Sequence, residues 1–204
     1  MCQNPGRPEI RPGRNSVFLI LIAFALLNAP AVAEPDGKAL FDSGRHAEAI
    51  AAWRKAVEQR GDAEAAFRLG DTFEAGAVVE ENLPEAAQWY AIAATAGHAG
   101  AQAALGAFYE AGAGVELSLD QAMHWYGQCA ARNNAACQFN LGRLYSSGEP
   151  ARQDLIEAYK WYYLAARGGQ IPFDSDEFTA LAGRMTAEQK RQAMRRVAAF
   201  TPLN

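Results

Sequence analysis

Apolar positions along this chain recur at helical spacing, and the pattern that carries them repeats with a fixed step. Trp89-Tyr90, Trp125-Tyr126 and Trp161-Tyr162 lie 36 residues apart. The same step relates Leu69-Gly70, Leu105-Gly106 and Leu141-Gly142. It also relates Gly76, Gly112 and Gly148; Ala86, Ala122 and Ala158; and the aromatic series Phe73, Tyr109 and Tyr145. Apolar residues three and four apart give each helix one buried stripe. Each unit therefore predicts a first helix across the Leu-Gly pair and its aromatic. A loop follows at the glycine, then a second helix with the Trp-Tyr pair and small residues such as Ala93-Ala94. Five series in one register, at a period of this size, mark a stacked repeat architecture. Long Val/Ile/Thr alternation is missing, so strands have almost no support, and the expected class is an all-α solenoid of antiparallel helix pairs.

Gly70, Gly106 and Gly142 fall inside the first helices, where glycine costs ~1 kcal/mol relative to alanine. Their recurrence predicts a neighbouring helix or bulky ring that needs the space. The Trp-Tyr pairs supply the rings, and they read as core packing, not as a ligand site.

The pattern changes at both ends. Residues 34–64 hold a half-matched unit: Ala39-Leu40-Phe41, a turn at Asp42-Ser43-Gly44-Arg45, then Ala47, Ala49-Ile50 and Trp53 on a second helix. Trp53 stands 36 residues before Trp89, so this helix is in register while the first is shortened, as terminal units of a solenoid are expected to be. Gly61, Gly97 and Gly169 close units, as a glycine past a helix end does. Three full units fill residues 65–169. In residues 170–204 the period breaks: a helix is expected near Glu177 to Arg184, and Thr186…Gln189 is a capping box opening another. The last helix carries Met194, Val197 and Phe200 on one side, with Lys190, Arg191, Arg195 and Arg196 around the rest. It reads as a cap over the last repeat. The alternative is a basic amphipathic element touching anionic lipid.

Ahead of all this, Arg7, Arg11 and Arg14 precede the apolar run Val17 to Leu27, and Ala31-Val32-Ala33 offers an A-x-A site. These are the three parts of a secretory signal, with cleavage expected after Ala33. The run is interrupted by Asn28 and Pro30 and falls short of the ~20 residues a membrane span needs. Cys2 does not follow the apolar run, as a lipid-anchored cysteine would. The mature protein is expected to be periplasmic or secreted, without membrane contact. The formal charge of −4 becomes 16 − 22 = −6 once residues 1–33, with three arginines and Glu9, are removed. An acidic body argues against a nucleic-acid partner.

Leu141-Gly142-Arg143-Leu144-Tyr145…Gly148, then Glu157-Ala158…Trp161-Tyr162…Ala165-Ala166…Gly169, resembles the Sel-one-like repeat, a relative of the tetratricopeptide repeat. The resemblance covers residues 65–169 and implies a right-handed superhelix acting in protein complexes. It is specific for the repeat class and silent on activity. Ala113-Gly114-Val115 matches the family's glycine-rich loop, whereas Ala77-Val78-Val79 and Glu149-Pro150-Ala151 depart from it. The family's loop aspartate is present at Asp120 and replaced by Pro84 in the first unit.

Two cysteines remain in the mature chain, Cys129 and Cys137. Arg132-Asn133-Asn134 makes a turn between them, and asparagine tolerates the left-handed geometry such turns use. Antiparallel helices joined there bring the two positions face to face, and in an oxidising compartment a disulfide follows. The pair resembles those of the cysteine-rich secreted branch of the same family, where this spacing staples helices of adjacent units. A redox-active pair and two free thiols are the alternatives; a C-x-x-C arrangement is missing.

No catalytic residue, metal site or cofactor is expected. His46, His98 and His124 are isolated, and neither H-E-x-x-H nor a phosphate-binding glycine loop occurs. Glu80-Glu81 with Glu85, and Asp174, Asp176 and Glu177, read as solvated surface. Ser118, Ser146 and Ser147 lack a nucleophile-elbow context. By the tetratricopeptide analogy, first helices line a concave surface. Its outward positions are Phe67, Asp71 and Glu74; Ala103, Ala107 and Glu110; and Phe139, Arg143 and Ser146. This set is the expected groove for a protein or peptide ligand, with the phenylalanines flanking small residues; the alternative is that Phe67 and Phe139 tuck partly into the inter-helix core. The expected function is a periplasmic interaction scaffold, in one version a regulator holding a membrane sensor. An envelope hydrolase is the competing class, but the S-x-x-K motif it would call for is not found. A structural, lipid-associated protein is the third.

Overall fold

The computed structural model describes residues 36–147 and 153–203. The expected export signal at 1–33 and the loop residues Gly148, Glu149, Pro150 and Ala151 lie outside the described residues. The described chain is helical, without a strand among the described residues. Helices α1 (Gly37–Asp42) and α2 (His46–Arg60) form the opening half-unit. The repeats pair α3 (Ala63–Ala75) with α4 (Leu83–Thr95), α5 (Ala99–Ala111) with α6 (Leu119–Ala131), and α7 (Ala135–Ser147) with α8 (Leu155–Arg167). The chain closes with α9 (Asp176–Gly183) and α10 (Ala187–Ala198).

Side-chain caps start these helices, and they keep the period. Asp62, His98 and Asn134 each accept the backbone N–H three residues on, at 3.0, 3.1 and 3.0 Å. Asn82, Ser118 and Asp154 do the same for the second helices. Their own N–H groups donate back to the carbonyls of Phe73, Tyr109 and Tyr145, at 2.9, 2.8 and 3.2 Å. One residue thus ties the end of the first helix to the start of the second. Each cap is worth ~1 kcal/mol.

Packing within a pair centres on glycine. A Cβ added at Gly70, Gly106 or Gly142 would lie 2.5, 2.7 and 2.7 Å from the ring of Tyr90, Tyr126 and Tyr162 respectively. The tyrosine, not the tryptophan, is the ring that needs the space. All three tyrosines are buried, whereas Trp89 and Trp125 are half-buried on another side of the helix. The opening unit solves the same problem differently. Arg54 occupies the tyrosine position, and the Trp53 ring covers Gly37 instead, leaving no room for a Cβ there.

The core consequently runs along the stack. One buried cluster joins α1 to α5, and a second joins α6, α7 and α8 with Val197 of α10. A third gathers Tyr162 with Phe178, Leu181, Met185 and Ala193 of the closing segment. That segment covers the last repeat: Phe200 meets Trp161 edge-on at 5.7 Å, and Leu203 N–H donates to the Ala131 carbonyl at 2.8 Å.

Candidate functional site

The first helices present a row of side chains held from beneath by the buried tyrosines. Tyr90 reaches back from α4 and places its hydroxyl against two carboxylates of α3, Asp71 at 2.8 Å and Glu74. Tyr126 repeats this from α6, donating to Glu110 at 3.1 Å. Arg143, one helix further on, closes over Glu110 with Nη2 at 2.7 Å from Oε2. Burial raises the pKa of both phenols above the ordinary value, and their carboxylate partners raise it further. The phenolic protons therefore stay in place as donors. Burial also holds Asp71 above its usual carboxyl range, while the Tyr90 hydrogen bond and the Arg68 charge pull it back.

The remaining expected positions differ in exposure. Phe67 is half-buried, stacked on His98 with ring centres 4.4 Å apart and tilted against Tyr90 at 5.7 Å. Phe139 is half-buried against Tyr162 at 5.5 Å. Ala107 is exposed and Ala103 half-buried. The Ser146 carbonyl accepts from Gln153 and Arg184 at 3.0 and 3.4 Å. His98 has both ring nitrogens engaged, Nδ1 as a cap and Nε2 with Glu64 at 3.0 Å. Burial pushes the Glu64 carboxyl up, and the Arg68 and His98 hydrogen bonds outweigh it to hold the group low. This is positioning chemistry. Among the described residues no cluster of His, Cys, Asp and Glu could hold a metal ion, and no helix is long and apolar enough to cross a membrane.

At the junction of the second and third repeats, Cys129 of α6 and Cys137 of α7 are joined by a disulfide with Cα atoms 6.0 Å apart. Both residues are fully buried, and Asn133 in the turn takes φ 63°. Arg132 crosses from this turn to the previous junction, where Nη1 donates to the Gly97 carbonyl at 3.1 Å and to Gln102 Oε1 at 3.3 Å.

Sequence reasoning missed the tyrosine–carboxylate ladder, although a signal existed. Glu74 to Tyr90 and Glu110 to Tyr126 share a spacing of 16 residues. It missed the Arg132 contact because the counterparts one period away, Ala96 and Gly168, carry no guanidinium.

The comparisons agree with the repeat fold. The Sel1 repeat profile matches residues 63–98, 99–134 and 135–170, together more than half of the chain. A Sel1 repeat protein from Oxalobacter formigenes is 30% identical, with a TM-score of 0.55 over 66% of this chain and 97% of that one. The c5321 protein, a protective antigen of uropathogenic Escherichia coli with an SLR fold, is 22% identical. Its TM-score is 0.54 over 80% of this chain and 44% of that longer one, a likeness of fold alone. No curated protein matches the chain. Three profile matches in one register, on helix pairs that stack as those solved structures do, make the chain a member of the Sel1 repeat family.

Proposed function

We propose that this protein is exported and binds a protein partner along its first-helix face, the concave side of the solenoid, as a scaffold without catalytic chemistry of its own. The observation that carries the reading is the ladder of Asp71, Glu74 and Glu110, held by the hydroxyls of buried tyrosines, with Arg143 paired to Glu110. Side chains already held in one geometry lose little conformational entropy when a partner docks, so such a face is pre-organised for recognition. Sel1 repeats as a class are interaction scaffolds, which favours the same use here.

Two features support export. The N-terminal arginines, apolar run and Ala31-Val32-Ala33 form a signal, and a buried disulfide belongs in an oxidising compartment. In the periplasm the partner fits the description of an envelope complex or the outer domain of a membrane sensor. The test is photo-crosslinking in intact cells, with the probe at Ala107 and Arg143 on the first-helix face and at the exposed His124 of α6 as control. Mass spectrometry identifies what is captured. The reading requires one protein captured from both face positions and not from His124. Capture from His124 alone, or no capture anywhere, overturns it; an unprocessed N-terminus in the cytoplasmic fraction overturns export.

A further inference from the structure

The second repeat contains a filled version of a site that the first repeat leaves open. In the filled version, Tyr126 donates to the Glu110 carboxylate at 3.1 Å, and Arg143 places one guanidinium nitrogen 2.5 and 2.7 Å from its two oxygens. The arginine comes from the next first helix, 33 residues after its glutamate. One period earlier, Tyr90 and Glu74 form the same receptor, and Asp71 is added to it. The position equivalent to Arg143 is there Ala107, an exposed methyl.

The first-repeat receptor is short of positive charge. Tyr90 has one hydroxyl proton and two carboxylates within reach, so it donates to only one at a time and leaves the other negative beside it. The cations beside the receptor are paired elsewhere: Arg68, whose charge acts on Asp71, has its Nε on Glu64 at 2.7 Å, and Lys38 has its Nζ on Asp42 at 2.5 Å. Among the described residues no cation makes an ion pair with Asp71 or Glu74. Burial already disfavours the charged form of Asp71, and a cation seated beside it would offset that cost. Glu74 is exposed and Asp71 half-buried, so the carboxylates are open to an arriving group from the Ala107 side; the cleft of about 310 Å³ that also reaches Asp71 lies toward α1 and is lined by Lys38 and Arg68 beside Phe41 and Trp53.

We propose that Asp71, Glu74 and the Tyr90 hydroxyl form the docking point for a guanidinium group, an arginine side chain of the protein partner, which lies over Ala107 as Arg143 lies over Glu110. This rests on the reading of the first-helix face as the partner surface and names the chemistry it recognises. Arginine fits better than lysine because a planar fork of N–H donors can meet two carboxylates at once, whereas an ammonium is a hydrated point charge.

The experiment titrates the full mature protein with acetyl-Gly-Arg-Gly-amide and, in parallel, with the citrulline peptide of the same shape and no charge. Backbone amide shifts are read by two-dimensional NMR. The arginine peptide is expected to move Glu74, Ala107 and their neighbours, and the citrulline peptide to leave them. Glu74→Gln and Asp71→Asn each weaken binding at least tenfold. Ala107→Arg, which supplies the guanidinium from within the chain, abolishes binding while leaving the spectrum folded. Equal binding of both peptides, undiminished binding by Ala107→Arg, or no shift at millimolar peptide overturns the proposal. A partner crosslinked from Arg143 without guanidinium binding sinks this inference and leaves the scaffold. Guanidinium binding without a crosslinked partner does the reverse.

Discussion

Gly106 sits where α5 and the Tyr126 ring touch, and its missing side chain is what lets the helix pair close. A methyl there would lie 2.7 Å from Tyr126 Cδ1, so either the ring or the helix must shift. We expect Gly106→Ala to destabilise by about 1–3 kcal/mol, the usual range for overpacking a filled core. Gly127, on α6, is the matched control: a Cβ there meets nothing within 4 Å. Gly127→Ala is expected to stabilise by about 0.5–1 kcal/mol through helix propensity alone. Urea denaturation of the two variants measures both, and equal shifts would remove the ring from the explanation. The glycine was legible in the sequence because it recurs, but the ring above it was not. Adjacent tryptophan and tyrosine point about 100° apart on a helix, and the spacing does not say which one faces the glycine. A second prediction concerns Asp71. A carboxyl whose folded pKa lies above its unfolded one binds more protons when folded, so it favours the fold at low pH, and that support fades as pH rises through the folded value. Asp71→Asn keeps an acceptor for Tyr90 and removes the charge. Its thermal midpoint is expected to exceed wild type near pH 7, with the difference shrinking toward about pH 4; a difference that widens on acidification contradicts this.

Between helices, the junctions are specified one by one, and they are less regular than the pairs. The disulfide closes a loop of sequence separation 8 between α6 and α7. Replacing both cysteines by serine is expected to cost about 2–3 kcal/mol on the chain-entropy estimate. Both sulfur positions are fully buried, so the serine hydroxyls add a desolvation penalty, and Cys→Ala at both sites is the cleaner measurement. A stability change below ~1 kcal/mol in the alanine variant would show that helix packing alone fixes this junction. The sequence brought the two cysteines together by turn chemistry at Asn133, which does adopt the left-handed backbone. The neighbouring junction was opaque. Arg132 caps Gln102 Oε1 and the Gly97 carbonyl, whereas the equivalent Gln138 Oε1 finds no partner among the described residues and Gly168 stands where that arginine would be. An interaction used at one junction leaves no periodic trace, so a reading built on period cannot see it.

Across the whole molecule, stability follows from stacking: each repeat buries its apolar face on its neighbours, and the ends need covers. The periodic pattern made the stack legible, and the break after Gly169 made a C-terminal cover legible. How that cover attaches was not, because its contacts come from residues outside the repeat. Phe178, Leu181 and Met185 pack with Tyr162, Phe200 meets Trp161, and Arg196 pairs with Glu157 at 2.6 Å. Ending the chain at Gln170 removes all of these and exposes the rings of α8. In a quasi-one-dimensional stack the loss is felt first by the repeat that lost its neighbour. Hydrogen exchange on the truncated protein should therefore show α7 and α8 losing protection while α3 and α4, buried against α2 and α5, keep most of theirs. The disulfide makes the prediction sharper, because it ties α7 to α6 and should stop the opening from spreading past Cys137. Truncation combined with alanine at both cysteines is expected to carry the loss of protection into α6. If truncation alone strips α3 and α4 as fully as α8, the molecule is one cooperative unit, and the closing helices support the distant end of the stack as much as the repeat they touch.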